Sequence, residues 1–229
     1  LAFETKPDPI TGEPRPTTLH FTASEPAIGY DFISTSTTLT PQSFNLDVDG
    51  DGHMDVLSAS YNDDTIAWYQ NDGTQNFTKH DITTTANGAA SVYAIDVDND
   101  GDLDLFVGGQ SPWGNFPVSS DSLLLKNEYG DFKIDETNAA SISRLHNIQG
   151  AIFCDWDLDG DSDLITSSEW GRIRWLINEK GTFNEQNKGI GSEKLRGIWQ
   201  GLASGDFNED GRPDLVVCNR GENTQWAEW

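Results

Sequence analysis

Four stretches of nine residues, at 47–55, 96–104, 155–163 and 206–214, share one spacing of acids, D-x-[DN]-x-D-G-x-x-D. Alternate positions of a tight loop point their side chains inward, so acids at positions 1, 3, 5 and 9 can converge on one point. Such a set suits Ca²⁺, a hard cation that takes about six to eight oxygen ligands in a flexible shell. The glycine at position 6 permits the sharp turn, and the carbonyl of position 7 can add a further ligand. The expected ligands are Asp47, Asp49, Asp51 and Asp55 with the His53 carbonyl, then Asp96, Asp98, Asp100 and Asp104 with that of Asp102. The third set is Asp155, Asp157, Asp159 and Asp163 with the Asp161 carbonyl; the fourth is Asp206, Asn208, Asp210 and Asp214 with that of Arg212. Asn208 replaces a carboxylate, so the fourth loop is expected to bind most weakly.

The EF-hand opens with the same spacing but needs an acidic ligand at position 12 of its loop. Those positions here are Ser58, Val107, Thr166 and Val217, in β-branched surroundings rather than an exiting helix. Mg²⁺ fits less well, because it keeps its waters and seldom uses an all-protein cage. An Asp-rich turn can also be only a solvated loop with self-capping side chains. Four regular copies argue against that, since crowded carboxylates without a counter-ion repel one another.

The copies start 49, 59 and 51 residues apart, a period typical of repeated supersecondary units. An apolar run follows each loop, at 56–57, 105–107, 164–165 and 215–217, and a second apolar segment follows in three copies. Those segments end in Asn71, Asn127 and Asn178, then a glycine turn, then Phe77, Phe132 and Phe183. The order is strand, acidic loop, strand, turn, strand, turn, strand, about four short strands per unit, which marks a propeller blade. No stretch sustains helical periodicity, so the fold class is all-β, with copies starting near 43, 91, 150 and 201.

The second copy carries an insertion at 109–117 that holds Trp113 and Phe116; it is either a binding loop or a cover for a neighbouring blade. Residues 1–42 read as a Pro-rich arm, with 18–22 a candidate closing strand, and 43–229 as the repeats. The chain stops at Trp226–Trp229 where a third strand of the fourth copy is due, so we expect either closure by the N-terminal strand or further blades in a longer chain. Cys154 and Cys218 sit in apolar runs and read as two buried thiols, a disulfide remaining the alternative in an oxidising compartment.

With 38 acidic against 14 basic residues the formal charge is -24, which excludes nucleic acid and anionic membrane surfaces as partners. Four bound Ca²⁺ would reduce it to -16. Aromatics at 10%, eight Trp among them, exclude a disordered acidic tail, and no apolar run approaches the ~20 residues of a membrane span. There is no charged and apolar leader at Leu1, so we expect any signal peptide to have been removed.

The loops and their flanks, residues 43–77 and 91–105 above all, resemble FG-GAP/VCBS repeats, and the likeness extends over about 43–226. The resemblance implies an integrin-α-like β-propeller, commonly seven-bladed, with Ca²⁺ in the hairpin between the first two strands of a blade. It also implies a secreted or cell-surface protein in which calcium is structural.

A binding module for a glycan or an extracellular protein is the leading functional expectation. Trp113, Trp170 and Trp199 are the candidate exposed contacts, while Trp68 and Trp175, at equivalent repeat positions, read as core. Asn76-Phe77-Thr78 matches an N-glycosylation acceptor. Two alternatives stand beside this: a structural subunit of an extracellular assembly, and a polysaccharide lyase or hydrolase. Catalysis has thin support, because His20, His53, His80 and His146 show no ligand spacing and Arg172, Arg174 and Arg196 look scattered.

Overall fold

The computed structural model describes residues 46–61, 63–74, 76–112, 115, 118–186 and 196–220. The N-terminal arm, Trp113 and Trp226–Trp229 lie outside the described residues. What is described is all-β apart from one turn of helix, α1 (Ala139–Ile142). Every strand pairing is antiparallel.

The first copy gives a three-stranded sheet, β1 (Val56–Ser60), β2 (Thr65–Asn71) and β3 (Phe77–Thr83) in that order. The second gives four strands in sequence order, β4 (Ala89–Ile95), β5 (Asp104–Gly109), β6 (Leu123–Glu128) and β7 (Asp131–Ile134). The third repeats that order with β8 (Ile148–Cys154), β9 (Asp163–Gly171), β10 (Arg174–Asn178) and β11 (Phe183–Glu185). The fourth contributes β12 (Gly197–Gly205) and β13 (Asp214–Asn219). In the first copy the Asp55 amide donates to the Leu46 carbonyl, where the later copies pair Ile95 with Asp104 and Cys154 with Asp163.

The sequence pattern does not anticipate that the third and fourth copies share one six-stranded sheet. Strand β9 runs on to Glu169 and Gly171, which pair with Ile198 and Gly197 of β12. Side chains are excluded at this junction, since a Cβ on Gly171 would meet Ser168 and one on Gly197 the Asn219 side chain.

In the second and third units the strand that follows the acidic loop is buried on both faces, β5 along its whole length and β9 from Asp163 to Ser168. The period of two along a strand distributes residues between adjacent cores. Leu105 and Val107 join a core with Leu57, Ile66 and Trp68 of the first sheet, while Phe106 between them joins Leu164, Leu176 and Phe183 of the third. Leu164 and Ile165 divide in the same way, Ile165 packing with Trp175 and Trp199. The exposed strands β3 and β7 carry Lys79, Asp81, Asp131 and Lys133, charges that discourage pairing with another chain.

Trp68 and Trp175 are buried, as their repeat positions suggest. The reading of two buried thiols needs correction. Both cysteines are free, Cys154 is half-buried and Cys218 is exposed, because little among the described residues covers the outer face of β13.

Candidate metal centre

In the second, third and fourth units the acidic loop joins the first strand to the second, and one backbone scheme builds all four loops. The position 1 carboxylate receives the amides of positions 5 and 6: Asp51 and Gly52 on Asp47, Asp100 and Gly101 on Asp96, Asp159 and Gly160 on Asp155, Asp210 and Gly211 on Asp206. The position 5 carboxylate in turn receives the amide of position 7. These are Asx-type turns, which hold the loop closed around its own acids. Position 6 has φ between +83° and +99° in the four copies, a region that only glycine enters without strain.

The position 9 acid lies deepest. Asp55, Asp104 and Asp163 are 4%, 1% and 0% exposed. One oxygen of each accepts the position 2 amide, from Val48 (2.8 Å), Val97 (3.1 Å) and Trp156 (2.8 Å). The other accepts the amide of the third-strand asparagine, from Asn71 (2.9 Å), Asn127 (2.9 Å) and Asn178 (2.7 Å). Burial is the larger influence and raises all three above the ordinary carboxylate range, Asp104 to about 6, although the two amides and the neighbouring acids pull in opposite directions.

In the first three loops positions 1, 3 and 9 bring one carboxylate oxygen each within 4.8 Å of the others: Asp47, Asp49 and Asp55; Asp96, Asp98 and Asp104; Asp155, Asp157 and Asp163. That donor set is all oxygen and fits a hard cation, and a carboxylate oxygen that accepts one amide keeps a lone pair for a metal. In the second loop Asp98 Oδ1 is buried without any hydrogen-bond partner, an acceptor that a cation would satisfy. Asp51, Asp100 and Asp159 stand outside these triads. The fourth loop keeps the backbone scheme but forms no such triad, since Asn208 holds position 3.

Sequence reading treated the third-strand asparagine as a turn residue, and the structure gives it more to do. Its side-chain oxygen caps the turn glycine (Gly73, Gly130, Gly181). Its amide nitrogen also reaches back one unit: Asn127 Nδ2 donates to the Val48 carbonyl at 3.1 Å and Asn178 Nδ2 to the Val97 carbonyl at 2.9 Å. The second and third units thus each hold the acidic loop of the unit before them. The signal available in the sequence was an asparagine at one repeat position in three copies.

The aromatic candidates divide. Trp170 is 55% exposed at the end of β9, with a positive φ of 59°. Trp199 is 8% exposed and packs with Ile165, Ile173 and Trp175, so its expected exposure is corrected: β12 lies between β9 and β13, and this indole is on the side that meets the core. Trp113 lies outside the described residues. Arg172 and Arg174, scattered in the sequence, are brought together on Glu185 at 2.8 and 3.0 Å.

Among the described residues no helix is long and apolar enough to cross a membrane. No curated protein matches the chain closely enough to lend it an activity. A comparison with models of protein families matches the FG-GAP-like repeat over residues 47–107 and 120–217. The matched segments hold all four acidic loops and most of the paired strands, and the chain therefore belongs to the FG-GAP-like repeat family.

Proposed function

We propose that this chain is a calcium-binding β-propeller of the extracellular or cell-surface kind, which uses structural Ca²⁺ to hold a rigid face for a glycan or a protein partner. The repeats at 43–229 form the blades and 1–42 an arm. The observation that carries the calcium reading is the triad of convergent carboxylates in three loops of one backbone design. The Asp51, Asp100 and Asp159 side chains and the four position 7 carbonyls complete the shells in this reading, and the fourth loop holds a fourth, weaker ion.

Calorimetric titration of the metal-free protein tests it. Calcium is expected to bind at three or more sites at least about tenfold more tightly than magnesium, which dehydrates reluctantly. Heat from neither ion would overturn the reading.

The partner face is proposed at the end opposite the acidic loops. The turns that follow β1, β5 and β9 meet there, since each loop precedes the strand that leads to them. Tyr61 Oη donates to the Ser111 carbonyl, Ser111 donates to Asn147 Oδ1, and the Glu169 amide donates to the Asn147 carbonyl, so three units are tied at this end. Trp170 stands beside that seam. A bulky residue at positive φ costs about 1–2 kcal/mol, and its exposed indole offers a flat apolar surface suited to a sugar ring. On a glycan array with calcium, Trp170→Ala is expected to weaken retention at least about tenfold while the melting temperature stays close to that of the parent, as usual for an exposed contact. Equal retention by the variant would remove Trp170 from the site.

The alternative of a structural subunit is favoured by a different observation. Phe207 and Val216 are 62% and 49% exposed on the fourth unit, where Val48 and Leu57 occupy the same positions buried in the first. Apolar surface of that kind suits a neighbour in an assembly. Native mass distinguishes the two readings.

A further inference from the structure

The residue just before the third-strand asparagine differs among the units, being Gln70, Lys126 and Ile177. In the first unit Gln70 Nε2 donates to Asp49 Oδ2, the position 3 acid, as a neutral amide. In the second, Lys126 Nζ lies 2.7 Å from Asp98 Oδ2. In the third, apolar Ile177 brings no donor toward Asp157, which remains exposed. Among the described residues Lys126–Asp98 is the ion pair that reaches an acidic loop.

The pair is also enclosed. Gly181, in the turn of the third unit, lies over it so closely that a Cβ there would sit 2.9 Å from Asp98 Cβ and 4.0 Å from Lys126 Nζ. The Lys126 side chain is 36% exposed and that of Asp98 23%, so water screens their attraction only in part.

We propose that Lys126 is a built-in counter-cation of the second loop, which lowers the calcium affinity of that loop below those of the first and third. This rests on the calcium reading above. An ammonium on a ligand carboxylate opposes a divalent ion in two ways: it repels the ion directly, and its hydrogen bond must be broken or shared before Asp98 Oδ2 can coordinate. Asp98 Oδ1 stays unpartnered and gives the ion one point of entry, so the loop is weakened rather than closed. The three loops are thereby graded by one side chain each: Lys126 opposes the ion by charge and by a hydrogen bond, Gln70 by a hydrogen bond alone, and Ile177 by neither.

The test follows the backbone amides of Gly52, Gly101 and Gly160 by NMR as calcium is added, because each donates to the position 1 acid of its own loop. In the parent protein Gly101 is expected to respond at about tenfold higher calcium than Gly160, the size of a single partly screened charge interaction near a site. Lys126→Gln, which copies the first unit, should move the Gly101 response about tenfold lower and leave Gly52 and Gly160 in place. Lys126→Arg keeps the charge and should keep the weak response, which a merely structural role of the lysine would not predict. The proposal is overturned if Gly101 titrates together with Gly160 in the parent, or if Lys126→Gln leaves Gly101 unmoved while the other two glycines still bind. If no glycine responds to calcium, the metal reading and this grading fall together.

Discussion

Replacing Asp163 by alanine is expected to destabilise the metal-free protein by about 3–5 kcal/mol, the largest loss of any single loop acid. Its carboxylate is fully buried and takes the amides of Trp156 and Asn178, so the substitution leaves both donors without their acceptor. Asn178 itself holds Ser162 and the Val97 carbonyl of the previous unit, so the damage reaches across two sheets. For a chain of this size the midpoint of thermal unfolding should fall by roughly 10 °C. Asp159→Ala is the control. That side chain is exposed and receives only the Asp161 amide in its loop, so its loss should cost about 1 kcal/mol or less without metal. If Asp163→Ala and Asp159→Ala melt together, the position 9 acid does not hold the metal-free fold.

The second large effect is a reversal of pH dependence by calcium. Asp104 holds its proton to about 6 in the metal-free fold, chiefly because it is buried, whereas an unfolded aspartate releases it near 3.8. Between those values the folded state carries more protons than the unfolded one, so stability is full below pH 3.8 and is lost as pH rises through about 6. That loss is on the order of 3 kcal/mol for Asp104 alone, and Asp55 and Asp163 are displaced in the same direction. Asp72 is displaced the other way by the hydrogen bonds of Asn76 and Thr74, but it is fully exposed and water screens it. The net charge of -24 adds repulsion with the same sign as the buried acids. Calcium binds the ionised carboxylates, so its stabilisation grows over the range in which the metal-free protein weakens. Melting curves at pH 4.5 and 7.5, with and without calcium, are the measurement. The metal-free protein should melt higher at the acidic pH and the calcium-loaded protein at the neutral one, and parallel curves would contradict the argument.

The acidic loops were readable because their chemistry is local: nine residues contain both the ligands and the glycine that turns them. The strands around them were readable for the same reason, since period and turn residues repeat with the loops. Asn178 shows what was not. An asparagine before a glycine turn is already explained by the turn, so its recurrence at one repeat position does not say that the side chain also reaches Val97. Trp199 shows the opposite failure. Glycines at 197 and 201 suggest a turn and an exposed indole, but they lie within an inner strand, and which face of that strand is covered depends on β9. Lys126 is a third kind. Its charge is visible in the sequence, yet its meaning depends on Asp98 lying across the sheet and on Gly181 from the next unit.

The backward reach of the asparagines also sets an order of events on the ribosome. The Val48 carbonyl waits for Asn127, 79 residues later, and the Val97 carbonyl waits for Asn178, 81 residues later. At about 5–20 residues per second that interval is roughly 4–16 s, far longer than a hairpin needs to form. The first two nascent loops would therefore exist for seconds with their outer carbonyls unclaimed, each secured only when the asparagine of the following unit has been made.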